Sequence, residues 1–389
     1  MTGKPPLVGR YESAVAEVLA VTAEYAGHSD EAAEFPTAAL DAMRATGLLG
    51  LLVPAEHGGG GGTLTDLVEV TLRLARVDMS VALIFAMHCQ QVAAVVRHAD
   101  GPLAARLLPV LGKGNVYLAS VTTERGTGGH LLSSESVVGR TAGMLTIDRD
   151  APIVTGGRYA DAFLITALAP QATSPSQVSL VYARRDQLTV EVRGGWQPLG
   201  MRATDSVPMR LTGQVPADQV IGEPGRFREI VAPTFGPLAH IGWSAAWLGA
   251  ATGALSRILH HIRDAGRNQF DPSSELLLTR LARLRGRLDL VNAVLRHTVA
   301  TMESGSDRSD PAVQMLVNSL KVHAAEQCFA AADEMVELVG LRHGYLKSSP
   351  LHLERVFRDL RSASLNYAND RLLLVNGALV LRDRQVRLA

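Results

Sequence analysis

Between residues 115 and 215 the chain changes its period, and that change limits what it can fold into. Short runs at 116–121, 144–148, 162–167, 178–183 and 188–192 are strand-length and rich in branched residues, with Gly, Asp and Pro clusters between them. They predict an antiparallel β domain of about seven strands. Strands and helices do not alternate there, which argues against a doubly wound nucleotide-binding fold. On both sides the period is helical. Pro36 opens a helical segment that stops at Gly47, and a long apolar helix is expected over 79–98. Four long helical segments, near 227–265, 273–303, 310–340 and 350–384, predict an antiparallel bundle. The fold class is therefore α+β, mainly α, in three domains: helical (1–112), β (113–222) and a C-terminal four-helix bundle (223–389).

Composition excludes several classes. Lys plus Arg and Asp plus Glu are both 38, so there is no basic footprint for nucleic acid. Cys89 and Cys328 are the only cysteines, which leaves neither a disulfide framework nor a thiolate zinc site. The first ten residues hold no apolar signal core, so a reducing cytoplasm is expected. Residues 230–256 carry no Asp, Glu, Lys or Arg, yet Pro233, Pro237, Gly236 and Gly242 interrupt them. They read as a helix buried on all sides and not as a membrane span.

Candidate sites are few. The histidines are scattered, and His260 and His261 cannot share one helix face, so a metal site is not expected. The glycine run 58–62 reads as a flexible surface loop. Residues 122–129 carry hydroxyls and glycines after a strand, either as a plain turn or as a cradle for an anion or planar ring. Arg280, Arg283 and Arg287 form one helical stripe, either a solvated face or a phosphate or carrier-protein contact. Small and polar residues at 362–371 interrupt the last helical pattern, as a capped turn or a ligand contact.

Five segments together resemble the acyl-CoA dehydrogenase superfamily over about residues 37–385. They are GLLGLLVPAEHGG (47–59), TERGTGG (123–129), IVTGGRYADAFLITA (153–167), GMRATDS with VPADQVIG (200–206 and 215–222), and VGLRHGY with LERVFRDLR (339–345 and 353–361). The resemblance implies FAD, or FMN, held between the β domain and the bundle, in a homo-oligomer (tetramer or dimer) whose neighbouring subunit completes the site. It implies that Thr123 donates to the flavin ring, with Val121, Gly129 and Val154 beside it. Gly129 stands where the family has a serine. Arg267, Phe270, Gly340 and Asn369 are the remaining cofactor candidates. Asp271 replaces a family glycine, and Leu341 replaces the second glycine of the pyrophosphate loop.

The family's catalytic glutamate has no counterpart. Its usual position aligns with Tyr367, after Asn366, and its alternative position with Ala239, before His240. A tyrosine, with a reference pKa near 10, is a poor base at neutral pH. Tyr367, His240 and Asn366 are the catalytic candidates. Three readings follow. The first is an oxidoreductase acting on an acyl thioester or small organic molecule, with another base such as His240 or Glu124. The second is a monooxygenase supplied with reduced flavin by a partner reductase. The third is a non-catalytic subunit of a mixed oligomer. Neither nucleic acid nor membrane is an expected partner.

Overall fold

The computed structural model describes residues 8–124, 126, 130–264 and 270–389. The chain forms two compact units. One comprises the chain up to Leu67, Ile84–Gln197 and Ala203–Ala239; the other comprises Val68–Leu83, Pro198–Arg202 and His240–Ala389.

The N-terminal helices are α1 (Val8–Ala32), α2 (Thr37–Ala45), α3 (Leu64–Val77), α4 (Met79–His98) and α5 (Gly101–Gly112). Thr63 caps α3: its Oγ1 accepts the Asp66 N–H at 3.2 Å, and Asp66 Oδ2 accepts the Thr63 N–H at 2.8 Å. Asp78 Oδ1 caps α4 through the Val81 N–H at 2.9 Å. Among the described residues, α4 is the one helix long and apolar enough to cross a membrane, and most of it is buried inside the protein.

The glycine run is not a flexible surface loop. Gly60, Gly61 and Gly62 donate backbone bonds to Gly50, Val53 and Leu51 at 2.7–2.9 Å. A Cβ on Gly60 would lie 2.1 Å from the Tyr11 hydroxyl, so only glycine fits that approach.

Among the described residues the β region holds eight strands, against about seven expected, in two four-stranded sheets. The first orders β1 (Leu118–Val121), β4 (Ala162–Leu168), β5 (Val178–Arg184) and β8 (Val220–Ile221). The second orders β2 (Gly139–Thr141), β3 (Met144–Val154), β7 (Val207–Pro216) and β6 (Leu188–Val192). The domain is not purely antiparallel, because β1 runs parallel to β4 with Leu118 opposite Ala162. Only the crossover places that pair, which a local pattern does not report. Six consecutive residues of β4 are buried, whereas β3 alternates buried and open positions. The core against the first sheet gathers Val92, Val95, Leu107, Leu164, Leu180 and Phe227.

The short α6 (Arg228–Ile230) and a π-helical turn lead into α7 (Gly236–Asp264). The second unit continues with α8 (Glu275–Glu303), α9 (Pro311–Gly340), α10 (Leu353–Leu360) and α11 (Asn369–Val380). Ser274 and Asp310 cap α8 and α9, and Pro311 occupies the first turn of α9, where a missing N–H costs nothing. The last segment, near 350–384, is two helices, and the interruption read at 362–371 is the turn at 361–368 between them. Gly249 lets α7 approach α3 closely, since a Cβ there would lie 2.5 Å from the Leu72 carbonyl oxygen. The arginine stripe divides: Arg283 is exposed, while Arg287 donates to Glu334 at 2.8 Å and Gln327 at 2.6 Å inside the bundle.

Candidate functional site

On the first unit, the candidates sit where β1 ends. Val121 is fully buried, and Val154 is buried opposite Val207 in the β3–β7 ladder. The ladder shifts register between Ala151 and Val154 and leaves Ile153 46% exposed. Thr123 closes this bulge. Its hydroxyl donates to the Ile153 carbonyl at 2.9 Å and accepts the Ile153 N–H at 3.3 Å. The proton assigned to a flavin ring is thus used within the chain. Gly129 lies outside the described residues.

Glu124 is not available as a base. Its carboxylate pairs with Arg149 at 2.6 Å and accepts the Ser136 N–H at 2.9 Å, the Glu135 N–H at 3.0 Å and the Ser136 hydroxyl. Burial pushes this carboxyl up, but the Ser136, Glu135 and Arg149 contacts outweigh it and hold it below the usual glutamate range. Arg149 is 1% exposed and also donates to the Thr123 carbonyl at 3.0 Å. The pair therefore anchors the loop that carries Thr123.

On the second unit, the turn 361–368 is pegged from α9. Lys321 is fully buried, and its ammonium donates to Ala363 O at 3.2 Å, Tyr367 O at 3.1 Å and Asn369 Oδ1 at 2.7 Å. It also lies 5.5 Å from the centre of the Trp247 ring. Burial lowers its pKa to about 8, against the opposing charge of Glu326. Tyr367 adopts φ +51°, a left-handed conformation that a tyrosine holds only where its surroundings impose it. Asn366 and Tyr367 are half-buried. The Asn369 amide is committed internally, accepting from Lys321 and donating to Glu326 Oε1 at 3.4 Å. Lys321 carries no sign of this role in sequence, because lysine ordinarily marks a solvated surface.

His240, Trp243, Ser244 and Trp247 follow one another on a single face of α7, at i, i+3, i+4 and i+7. Their His240 Nδ1, Trp243 Nε1, Ser244 Oγ and Trp247 Nε1 atoms are buried and lack hydrogen-bond partners. Each such atom costs about 1–3 kcal/mol, so four along one face are out of proportion to ordinary packing. A backbone hydrogen bond with Val317 favours the charged form of the His240 ring. Burial, reinforced by the Lys321 charge, pushes this imidazole down to about 3. His240 is thus neutral, and its Nδ1 is buried without a partner. Its ring centroid lies 6.4 Å from that of Tyr367 and 6.0 Å from that of Trp243.

A third group lies along the same unit. Phe270 packs edge-on to His261 at 5.9 Å, and His261 lies 4.3 Å from His343. Nε2 of His261 is buried without a partner. Gly340 opens the turn before His343 with φ +70°. Asp271 stays ionised, because hydrogen bonds from the Ser273 hydroxyl and N–H hold its carboxyl below the usual range. Arg267 lies outside the described residues. Among the described residues, no cluster of His, Cys, Asp and Glu could hold a metal ion.

Family models for the acyl-CoA dehydrogenase N-terminal domain and C-terminal domain match residues 11–115 and 241–370, together more than half of the chain. The chain belongs to the acyl-CoA dehydrogenase superfamily. Its relatives in that superfamily carry different activities. A dibenzothiophene monooxygenase of Mycolicibacterium goodii is 23% identical over 377 residues, covering 91% of this chain and 89% of that protein. A cyclohex-1-ene-1-carbonyl-CoA dehydrogenase of Syntrophus aciditrophicus is 24% identical over 339 residues, covering 85% and 79%. The FMN-bound TdsC structure from Paenibacillus sp. A11-2 superposes with a TM-score of 0.86 at 23% identity, covering 96% of this chain and 98% of that one. That last likeness shows the superfamily's fold.

Proposed function

We propose that this chain is a monooxygenase that uses reduced flavin supplied by a separate reductase. One observation carries the reading: the two positions where the superfamily places its catalytic glutamate hold Ala239 and Tyr367. Abstraction of an α proton from a thioester needs a carboxylate of suitable pKa over that carbon. The group beside Tyr367 is instead a neutral imidazole pushed down to about 3, too weak a base for that task. Oxygen insertion requires no such base. The likeness to the Mycolicibacterium goodii monooxygenase along most of the chain supports the same reading.

When bound, reduced flavin supplies the electrons that activate dioxygen. The chain's own groups do the rest. Tyr367 and Asn366, held by the Lys321 peg, orient the substrate. Trp243 and Trp247 exclude water from it, and the unpartnered His240 Nδ1 hydrogen-bonds to it. The fixed negative charge of Asp271 opposes a second phosphate nearby and favours FMN over FAD. The test is oxygen uptake by the purified protein with reduced FMN, compared with the bleaching of oxidised flavin by acyl-CoA thioesters. Flavin-dependent oxygen uptake coupled to a hydroxylated product supports the proposal. Bleaching by a thioester without oxygen would replace it with a dehydrogenase.

A further inference from the structure

Three oxygens converge on one nitrogen beneath the turn 361–368. Lys321 Nζ lies 3.2 Å from Ala363 O, 3.1 Å from Tyr367 O and 2.7 Å from Asn369 Oδ1. These oxygens only accept, and an ammonium has the three protons they require. A neutral amine has two protons and a lone pair, so at least one oxygen would then face that lone pair. Asn369 cannot turn its amide to meet the lone pair without giving up its bond to Glu326 Oε1. The peg is therefore complete only while Lys321 is charged.

The titratable and charged groups around Nζ are Glu326 on α9, His240 on α7, and Tyr367 with the Arg371 guanidinium 6.0 Å from its ring. Glu326 favours the ammonium, and His240 is neutral. Burial outweighs Glu326 and brings Lys321 down to about 8, within reach of mildly alkaline solution. The sign of the effect follows from the bonds. The Lys321 stem on α9 stays beside the Trp247 ring whether the turn is closed or released, whereas the three oxygens meet Nζ only in the closed turn. The closed turn therefore holds the proton more tightly, and loss of the proton favours release. We propose that Lys321 is a positioning residue of the candidate site, whose ammonium holds Asn366 and Tyr367 in place and whose deprotonation frees them. The proposal rests on the reading of these two residues as substrate-orienting, and adds a charge that controls them.

Hydrogen exchange of the full chain, without flavin or substrate, tests the proposal separately from the monooxygenase reading. The Leu365 and Asn366 amides donate to Ser362 O and the Asn369 amide to Ser364 O, so their protection reports closure of the turn. After correction for intrinsic exchange, that protection is expected to fall about tenfold between about pH 7 and pH 9.5. Tryptophan fluorescence should change with the same midpoint, because Nζ lies 5.5 Å from the Trp247 ring. Amides of α8 should keep their protection, which separates release of the turn from alkaline unfolding. Lys321→Met should show low protection of the turn at pH 7 and no dependence on pH; if that variant does not fold, the pH series on the unaltered chain decides. Protection of the turn that stays constant or rises with pH, that falls together with α8, or that survives in Lys321→Met would overturn the proposal. A turn that releases in a protein without flavin-dependent oxygen uptake would leave the Lys321 peg standing and remove the monooxygenase.

Discussion

Lys321 Nζ donates to the Tyr367 carbonyl at 3.1 Å, so a buried cation on α9 fixes a turn 46 residues further along the chain. The same ammonium reaches Ala363 and Asn369, and together these bonds hold Tyr367 in its left-handed conformation. Lys321→Met is expected to leave two carbonyls and the Asn369 oxygen unpaired. The loss should be about 2–4 kcal/mol, measured by urea unfolding. Limited proteolysis should show new cutting within 361–368. Unchanged stability and protection would mean that the turn holds itself.

The Glu124–Arg149 pair is the corresponding anchor for the Thr123 loop. Glu124→Gln leaves a fully buried guanidinium short of its counter-charge, which costs about 3 kcal/mol. Denaturant unfolding reads that cost. A loss well under about 1 kcal/mol would show that the serines around Arg149 suffice.

Thr123→Val removes a hydroxyl that bonds Ile153. The expected loss is about 0.5–1 kcal/mol of stability. Flavin affinity, measured by fluorescence titration, should change only a few-fold through loosening of the bulge. A hundredfold loss of affinity would instead mean that the hydroxyl turns to the flavin.

Two buried histidines set the acid side of the stability curve. His88 accepts the Leu118 N–H on Nδ1 and donates from Nε2 to Leu49 O at 2.8 Å, so it is neutral, with burial pushing it down to about 4. His240 lies lower still, at about 3. The unfolded chain takes up both protons near pH 6.5, while the folded chain resists until about pH 4 and below. Stability contributed by both groups is therefore complete above pH 6.5 and lost as pH falls. Urea unfolding at pH 7.5 and pH 5 should show a drop of several kcal/mol, and His88→Gln should reduce it. A flat profile would place protonated histidines in the fold.

Much of the architecture was legible in the sequence, for local reasons. The α4 helix lies where its apolar run predicts, because Asp78 caps its start. The starts of α8 and α9 follow from Ser274 and Asp310. What was hidden depends on distant partners. The parallel β1–β4 pair is set by a crossover, and the cation that pegs the turn at 361–368, Lys321, comes from a distant helix. At the candidate site, His240 and Tyr367 were visible as departures from the superfamily's glutamate. Trp243, Ser244 and Trp247 were not, because an apolar helix with buried tryptophans reads as core until their N–H groups are found without partners.

On the proposed reading this chain activates oxygen and does not remove an α proton. The most direct test is to load the purified protein anaerobically with reduced FMN, add a panel of small organic substrates, admit oxygen, and quantify oxygenated product against peroxide. A monooxygenase forms product in proportion to the oxygen consumed and loses that coupling in His240→Phe. Bleaching of oxidised flavin by an acyl-CoA thioester, with no oxygen-dependent product, would contradict it.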